Sequence, residues 1–211
     1  SWSDDDGAWT LTLAPHPTVE KTTLRARFVI MSTGYYRYSA GYTPDFPNVK
    51  AFRGHVVHPQ AWSSDVAYAG KKVVVIGSGA TAITMVPSLS LTAASVTMLQ
   101  RSPTYLVSRP DVDRLANWLR RLLPAMVAYR ITRFKNTMFQ RFFYRRSQAR
   151  PEEVKEYLVG KVRDQLGPGF DVERHFTPSY GPWDQRVCLV TNGDLFTAMR
   201  EGAASVVTDH I

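Results

Sequence analysis

Gly77, Gly79 and Ala82 stand at GxGxxA spacing directly after the β-branched run Val73-Val74-Val75-Ile76. The spacing suits a pyrophosphate. Gly77 permits a tight turn, Gly79 lets the backbone approach the phosphates, and Ala82 lets a following helix lie close to the strand. Ser78, Ala80 and Thr81 complete the turn and lead into that helix, expected over 81–91, whose free N–H groups and positive dipole end would face the anion. A second strand, expected over 95–99, ends about 20 residues beyond the glycines, where such a unit selects its cofactor. An acidic side chain there would accept from the ribose 2′-hydroxyl of NAD. Gln100, Arg101 and Ser102 stand there instead. A guanidinium with hydroxyl support suits a 2′-phosphate, so the pattern is that of an NADPH site. The plainer reading of Arg101 is a solvated surface arginine.

These residues need a strand, a turn and a helix held at fixed height. The run 73–76 fits a strand buried on both faces of a parallel sheet. With 211 residues, 44% of them hydrophobic, the chain can bury a sizeable core in one or two domains. No apolar stretch of roughly 18 residues occurs, and no signal-peptide pattern, so a cytoplasmic protein is the default expectation. The single cysteine, Cys188, excludes a disulfide framework or CxxC pair within this chain and reads as a small buried hydrophobe. No metal site is expected. Ser1 in place of an initiating methionine, and the apolar strand-like stretch 203–211, suggest part of a longer polypeptide. Near the start, the turn Asp4-Asp5-Asp6-Gly7, flanked by Trp2 and by the alternating Trp9, Leu11 and Leu13, is a hairpin signature. Pro15 and Pro17 break the next strand, which resumes over 22–31 and carries Val29-Ile30-Met31 into a core. Residues 36–47, rich in Tyr, Gly and Pro, read as loop.

Before the glycine turn lies Phe52-Arg53-Gly54-His55-Val56-Val57-His58-Pro59-Gln60-Ala61-Trp62. By its residues alone this is a packed linker with a hydrogen-bonded His58. In its context it resembles the FxGxxxHxxxW fingerprint of class B flavoprotein monooxygenases, the Baeyer-Villiger monooxygenases in particular. Phe52, Gly54, His58 and Trp62 stand at the four fixed positions, and Ser63 departs from the Pro or Asp that usually follows. The resemblance extends over most of the chain. Ser32-Thr33-Gly34-Tyr35 is similar to the segment where a strand of the FAD domain ends against the flavin. Gly77 to Ala82 resembles the second, NADPH-binding glycine motif, and Gln100-Arg101-Ser102-Pro103 the 2′-phosphate reader. The set GYTPDFP, HPQAW, GSGATA and QRSPTY is similar to flavin monooxygenases that activate thioamide prodrugs such as ethionamide.

That resemblance implies an α/β fold: a Rossmann-like NADPH-binding domain with a helical insertion, plus part of an interleaved FAD-binding domain. The implied boundaries are 1–62 for the later part of the FAD-binding segment, 63–190 for the NADPH-binding domain with its insertion over 104–167, and 191–211 for a return toward the FAD domain. No glycine motif for an FAD pyrophosphate precedes residue 77. The implied cofactors are FAD and NADPH, with Thr33 and Gly34 against the flavin. The implied activity is monooxygenation. Hydride passes from NADPH to FAD, O2 adds to the reduced flavin, and the peroxyflavin inserts oxygen into a ketone or donates it to the sulfur or nitrogen of a sulfide, thioamide or amine. His58 is read as a structural tie in the linker.

Residues 104–167 read as helices. Leu115, Trp118, Leu119, Leu122 and Leu123 recur at helical spacing until Pro124, and Pro151 opens a further helix. From Arg109 to Arg150 eleven Lys or Arg stand against Asp111 and Asp113, a net of +9 in a chain of +8. Tyr129, Phe134, Phe139, Phe142, Phe143 and Tyr144 interleave with them. The ordinary reading is a solvated face over the substrate entrance. The sharper one is a peripheral contact with anionic membrane through 109–150. No base-reading module accompanies the charge, which argues against nucleic acid. Residues 175–188 fit an ordered, folded-back loop. By position Gln185 and Arg186 match the family's Lys-Arg pair, so the resemblance implies that Arg186 stabilises the charged flavin and helps hold the nicotinamide. Its alternative is a structural arginine paired with Asp184 or Asp194. A short helix over 194–199 and a strand over 203–211 close the chain. Two other identities stay open: a pyridine nucleotide-disulfide oxidoreductase, against which the fingerprint argues, and a non-catalytic membrane-surface module with a vestigial nucleotide fold.

Overall fold

In the computed structural model, which describes residues 1–13, 21–34 and 36–210, the turn at 4–7 joins two antiparallel strands as expected. Gly7 takes a φ of 55°, in the left-handed region that favours glycine. β1 (Trp2–Ser3) pairs with β2 (Ala8–Leu13), and β2 with β3 (Thr22–Ala26). Trp2 lies opposite Trp9 with ring centroids 5.5 Å apart, and Arg25 pairs with Asp6 at 2.7 Å. This sheet belongs to one of two units, Ser1–Asp45 with Val56–Trp62; the other is Phe46–His55 with Ser63–Ile211. Pro15, Pro17, Tyr35 and Ile211 lie outside the described residues. The third strand ends at Ala26, not Met31. Phe28, Ile30 and Met31 are exposed, Ile30 at 88%, so the apolar run expected to enter a core does not: no strand among the described residues pairs with it.

The second unit carries the glycine turn. β4 (Lys72–Ile76), α1 (Ala80–Ser90) and β5 (Ser95–Gln100) form a parallel β-α-β unit, one residue from the expected bounds at several ends. β6 (Tyr105–Arg109) follows, then α2 (Arg114–Leu122), α3 (Ala125–Ala149), α4 (Pro151–Leu166) and α5 (Val172–Phe176). β7 (Val187–Thr191), α6 (Asp194–Arg200) and β8 (Ala204–Thr208) complete the order. The sheets run β4-β5-β8 and β6-β7, all parallel. Ile83, Val86 and Leu89 of α1 share one core with Val96 and Met98 of β5, Val190 of β7, and Leu195 and Phe196 of α6. Local chemistry sets the helix ends. Asp113 caps α2 by accepting from the Ala116 N–H at 3.0 Å, Pro151 opens α4, and Gly167 closes it at a φ of 79°.

Two expectations need correction. β4 is buried on one face only: Val73 and Val75 turn toward the core, while Val74 and Ile76 stay exposed. α1 and α6 pack from one side, so the strand behaves as half-buried. The stretch 104–167 opens with a strand, since Tyr105 and Leu106 are buried and β6 runs in register with β7, Tyr105 opposite Val187. A short apolar run cannot declare itself strand or helix, and its partner lies some 80 residues away in sequence. Residues 204–208 form the strand expected near the end of the chain, and it pairs with β5 from Val96 opposite Ala204 to Gln100 opposite Thr208.

At the carboxyl edge of that sheet a polar network joins three elements. The buried Gln100 amide donates to the His175 carbonyl at 2.7 Å and to Thr208 Oγ1 at 2.9 Å, and Thr208 Oγ1 lies 2.7 Å from His175 Nδ1. Burial chiefly, with neighbouring Arg174, holds His175 below its ordinary pKa of 6.5, against a smaller opposing effect of Asp171. The unfolded chain therefore takes up this proton first as pH falls, and the folded state loses stability through and below pH 6.5 until the folded imidazole itself protonates. Urea midpoints at neutral and mildly acid pH should fall more for the native chain than for His175→Gln, which cannot titrate.

Candidate functional site

The glycine turn is anchored from below and open above. Gly77 has a φ of 135°, and its N–H donates to the Leu99 carbonyl at 2.8 Å, which ties the turn to β5. Gly79 is the N-cap residue of the 11-residue α1, and no side chain caps the helix. Ala80 and Thr81 are exposed, while Ala82 is buried beneath. The Ser78 hydroxyl donates to the Ser102 carbonyl at 3.2 Å, drawing the glycine turn and the Arg101 loop together. Arg101 is exposed, with no carboxylate in ion-pair range among the described residues. Gln100, read with Arg101 as part of the phosphate reader, turns inward to the network above.

Arg186 arrives from another element. A Cβ added to Gly79 would lie 2.7 Å from Arg186 Nη1, so the guanidinium sits over the glycine where a phosphate would approach. Hydroxyls pin its loop. Tyr105 donates to the Tyr180 carbonyl at 2.5 Å, Thr104 Oγ1 is 3.0 Å from the Tyr180 hydroxyl, and Thr104 donates to the Arg186 carbonyl at 3.4 Å. The ion-paired alternative fails. Asp184 accepts from the Gly181 N–H at 3.0 Å, Asp194 from the Leu195 N–H at 2.7 Å, and neither pairs with Arg186. Gln185 is exposed beside it. Cys188 is buried as expected, its Sγ 4.0 Å from the Ser78 carbonyl, and burial pushes its thiol up.

The fingerprint divides between the two units. In the second, Phe52 folds over Gly54, where a Cβ would meet the ring at 2.5 Å. In the first, His58 Nδ1 accepts from the Gln60 N–H at 3.2 Å and caps the turn Pro59–Ala61, which Trp62 ends. Its imidazole fills the space against Gly41, leaving no room for a side chain there. The Gln60 amide donates to the Arg37 carbonyl at 2.6 Å. Thr33 and Gly34 lie in an exposed loop rather than at a strand end; the Thr33 carbonyl accepts from the Tyr38 hydroxyl at 2.8 Å, and Gly34 has a φ of 70°. Thus Gly77 to Ala82, Ser102 and Arg186 come together in the second unit. Thr104, Tyr105, Tyr180 and Gly41 were not singled out from sequence. Only the parallel pairing of β6 with β7 brings Thr104 to Arg186, and no spacing announces it.

A glycine turn opening a helix in a parallel β-α-β unit, faced by arginines that have no carboxylate partner among the described residues, defines a dinucleotide-binding module. A family model described as FMO-like, flavin-binding monooxygenase-like, matches residues 3–159, and the chain belongs to this flavin-binding monooxygenase-like family. It is 46% identical over 211 residues, all of its length, to the FAD-containing monooxygenase EthA of Mycobacterium tuberculosis strain H37Rv, covering 43% of that protein. It is 51% identical over 193 residues to a probable FAD-binding monooxygenase, AlmA, of Acinetobacter baylyi, covering 91% of this chain and 39% of that one. The chain thus spans less than half the length of these relatives. Among solved structures it is similar in fold to an oxidized steroid monooxygenase bound to NADP, with a TM-score of 0.67 at 20% identity over 98% of this chain and 45% of that one. It is likewise similar to an OTEMO complex with FAD and NADP, with a TM-score of 0.64 at 19% identity and the same two coverages.

The Tyr105 hydroxyl is the deepest anchor of the arginine loop. Burial first, then Tyr180, Glu152 and Asp184, push its pKa up to about 12 from 10.0. The unfolded phenol ionises near 10.0 and the folded one near 12, so stability falls as pH rises between those values. Tyr105→Phe should abolish that alkaline loss and cost about 1 kcal/mol at neutral pH through the orphaned Tyr180 carbonyl, both read from urea unfolding.

Proposed function

We propose that this chain is the NADPH-binding part, with a portion of the FAD-binding part, of an FAD- and NADPH-dependent monooxygenase. The observation that carries the reading is the Arg186 guanidinium held over Gly79 at the opening of α1. Fixed backbone N–H groups and a cation without a carboxylate partner among the described residues converge where only a residue lacking a side chain leaves room, which is the chemistry of a pyrophosphate cradle. Residues 1–62 belong to the FAD-binding part, and 63–190, together with α6 and β8, form the NADPH-binding domain.

In this reading Gly77, Ser78, Gly79, Ala80, Thr81 and Ala82 hold the pyrophosphate, and Arg101 with Ser102 holds the 2′-phosphate. Gln185 and Arg186 cover the nicotinamide side, and Thr33 and Gly34 approach the flavin. His58 keeps the linker turn closed through the Gln60 N–H. When bound, FAD supplies the oxygen-activating chemistry; this chain's residues bind and orient the reductant. The acceptor is a small ketone or a soft sulfur or nitrogen centre, as in a sulfide, thioamide or amine, with O2 as co-substrate. Residues 109–150 form a peripheral membrane contact. The names of the FAD-containing and NADP-bound monooxygenases to which the chain is similar support the cofactor pair, and the fingerprint weighs against a disulfide oxidoreductase.

Calorimetric titration with NADPH and NADH tests this. The native chain should prefer NADPH, and Arg101→Ala should lose about 10- to 100-fold of that affinity while leaving NADH unchanged, since one charge-assisted contact is removed. Equal binding of both nucleotides, or none by a folded chain, refutes the reading. Gly79→Ala provides an independent check. Its methyl displaces only the flexible tip of Arg186, so urea stability should stay within roughly 1 kcal/mol while NADPH affinity drops about tenfold or more.

A further inference from the structure

Helix α3 presents most of its surface to solvent. Over 25 residues it buries only Ala128 and Ser147. One face is occupied: Lys135 pairs with Asp113 at 2.6 Å, Arg109 lies 4.4 Å over the Phe139 ring, and Phe143 and Tyr144 meet Trp183 edge-on. At 100° per residue, Val127, Ile131, Phe134, Met138 and Phe142 fall within a sector of about 80° on another side, a stripe about 22 Å long. All five are exposed, Phe134 at 68% and Phe142 at 66%. The adjoining α2 adds exposed Leu115, Trp118 and Leu122 at helical spacing. Arg114, Arg120, Arg121, Arg130, Arg141 and Arg145 have no carboxylate partner among the described residues, and Arg130 and Arg141 fall within about 40° of the stripe.

An exposed apolar stripe bordered by unpaired arginines needs an occupant that takes both. A second copy of the chain docking on this face would set arginines against arginines. A nucleic acid would satisfy the arginines but leave Val127, Ile131 and Met138 without a partner. An anionic bilayer accepts apolar side chains below its headgroups and guanidinium groups at its phosphates. No helix among the described residues is long and apolar enough to cross a membrane, so α3 would lie in the plane of the interface.

We propose that α2 and α3 dock this protein on an anionic lipid surface. The Val127, Ile131, Phe134, Met138 and Phe142 stripe enters the headgroup boundary and the flanking arginines pair with lipid phosphates. The inference rests on the membrane contact proposed for residues 109–150 and is independent of the nucleotide site, whose titration can fail or succeed without it.

Co-sedimentation with vesicles of phosphatidylcholine alone, and of phosphatidylcholine with phosphatidylglycerol in a two to one ratio, tests the proposal. Binding should require the anionic lipid and should be lost on raising salt from roughly 0.1 M to roughly 1 M. Arg130→Gln with Arg141→Gln should weaken it about 25-fold, at about fivefold for each arginine near the surface. Phe134→Ser with Phe142→Ser should weaken it at least as much as the loss of one arginine. These positions are exposed, so circular dichroism and the NADPH titration should be unchanged in both variants. Absence of binding to anionic vesicles, or binding untouched by the phenylalanine pair, overturns the proposal. So does a dimer, seen by light scattering, that the phenylalanine substitutions dissolve, since it assigns the face to a second copy. Loss of vesicle binding when this chain is carried within a polypeptide of the relatives' length overturns it as well, by assigning the face to the remainder of that polypeptide.

Discussion

The parallel register of β4 on β5 is the constraint from which the site follows. Lys72 lies opposite Ser95 and Ile76 opposite Leu99, and the Gly77 N–H extends the ladder one step beyond the strand by donating to the Leu99 carbonyl. The two strands therefore end at the same height. Whatever leaves β4 upward, here the turn into α1, must emerge beside whatever leaves β5, here Arg101 and Ser102. The Ser78 to Ser102 hydrogen bond closes that gap. Register is specified by burial: a slip of one residue would expose Val73 and Val75 and turn Val74 and Ile76 into the core against α1. Helix dipole, free N–H groups and guanidinium are thus aligned by strand register, packing and these two hydrogen bonds.

The second strand pair does for Arg186 what the first does for Arg101. With Tyr105 opposite Val187, the residues just before each strand, Thr104 and Arg186, become neighbours. The Thr104 hydroxyl can then reach the Arg186 carbonyl while its contact with Tyr180 steadies the loop from the other side. Cys188 beneath the Ser78 carbonyl marks where this pair meets the glycine turn. Between β6 and β7 the chain travels through four helices before Arg186, the last residue of the connection, reaches the turn. Trp183, held at a φ of 74° against Phe143 and Tyr144, is one point where the long helix touches the site's supports; Phe143, packed in the cluster of Tyr105 and Tyr180, is another.

What could be read from sequence was local. The GxGxxA spacing, the helix after it, the aspartate turn with its paired tryptophans, the Pro124 and Pro151 helix boundaries and the final helix all depend on neighbours within a few residues, and each stands where expected. Failures came where a distant partner decides. Val29-Ile30-Met31 has the composition of a core strand, but a strand needs a ladder, and none of the described residues supplies one. Tyr105-Leu106-Val107 is too short for periodicity to separate strand from helix. Val73 to Ile76 looks doubly buried because a β-branched run is the same whether one face or both are covered. Gln100 sat at a motif position and proved to be a core residue, since only the tertiary structure shows Thr208 and the His175 carbonyl waiting for its amide. Family resemblance marked Arg186, yet its place over Gly79 came from the geometry of two strands.

Positive charge is presented in two ways on this chain, and the difference matters more than the total. At the glycine turn a few donors converge: backbone N–H groups fixed by α1, with Arg186 above them and Arg101 beyond the next strand. Convergence favours a compact polyanion, because several contacts form at once with little ordering left to do. On α2 and α3 the arginines are strung along the helices, most of them, Arg146 with Glu153 excepted, without a carboxylate partner among the described residues, and interrupted by exposed aliphatic and aromatic groups. Such a surface cannot concentrate field on one phosphate, and each guanidinium contributes about the same small amount wherever a negative group lies nearby. It favours an extended, fluid array of anions over any single ligand. The net charge of +8 is therefore an incomplete guide to partners: the same residue type suits a discrete ligand where strands force it into convergence, and would suit a diffuse surface where a long helix spreads it out.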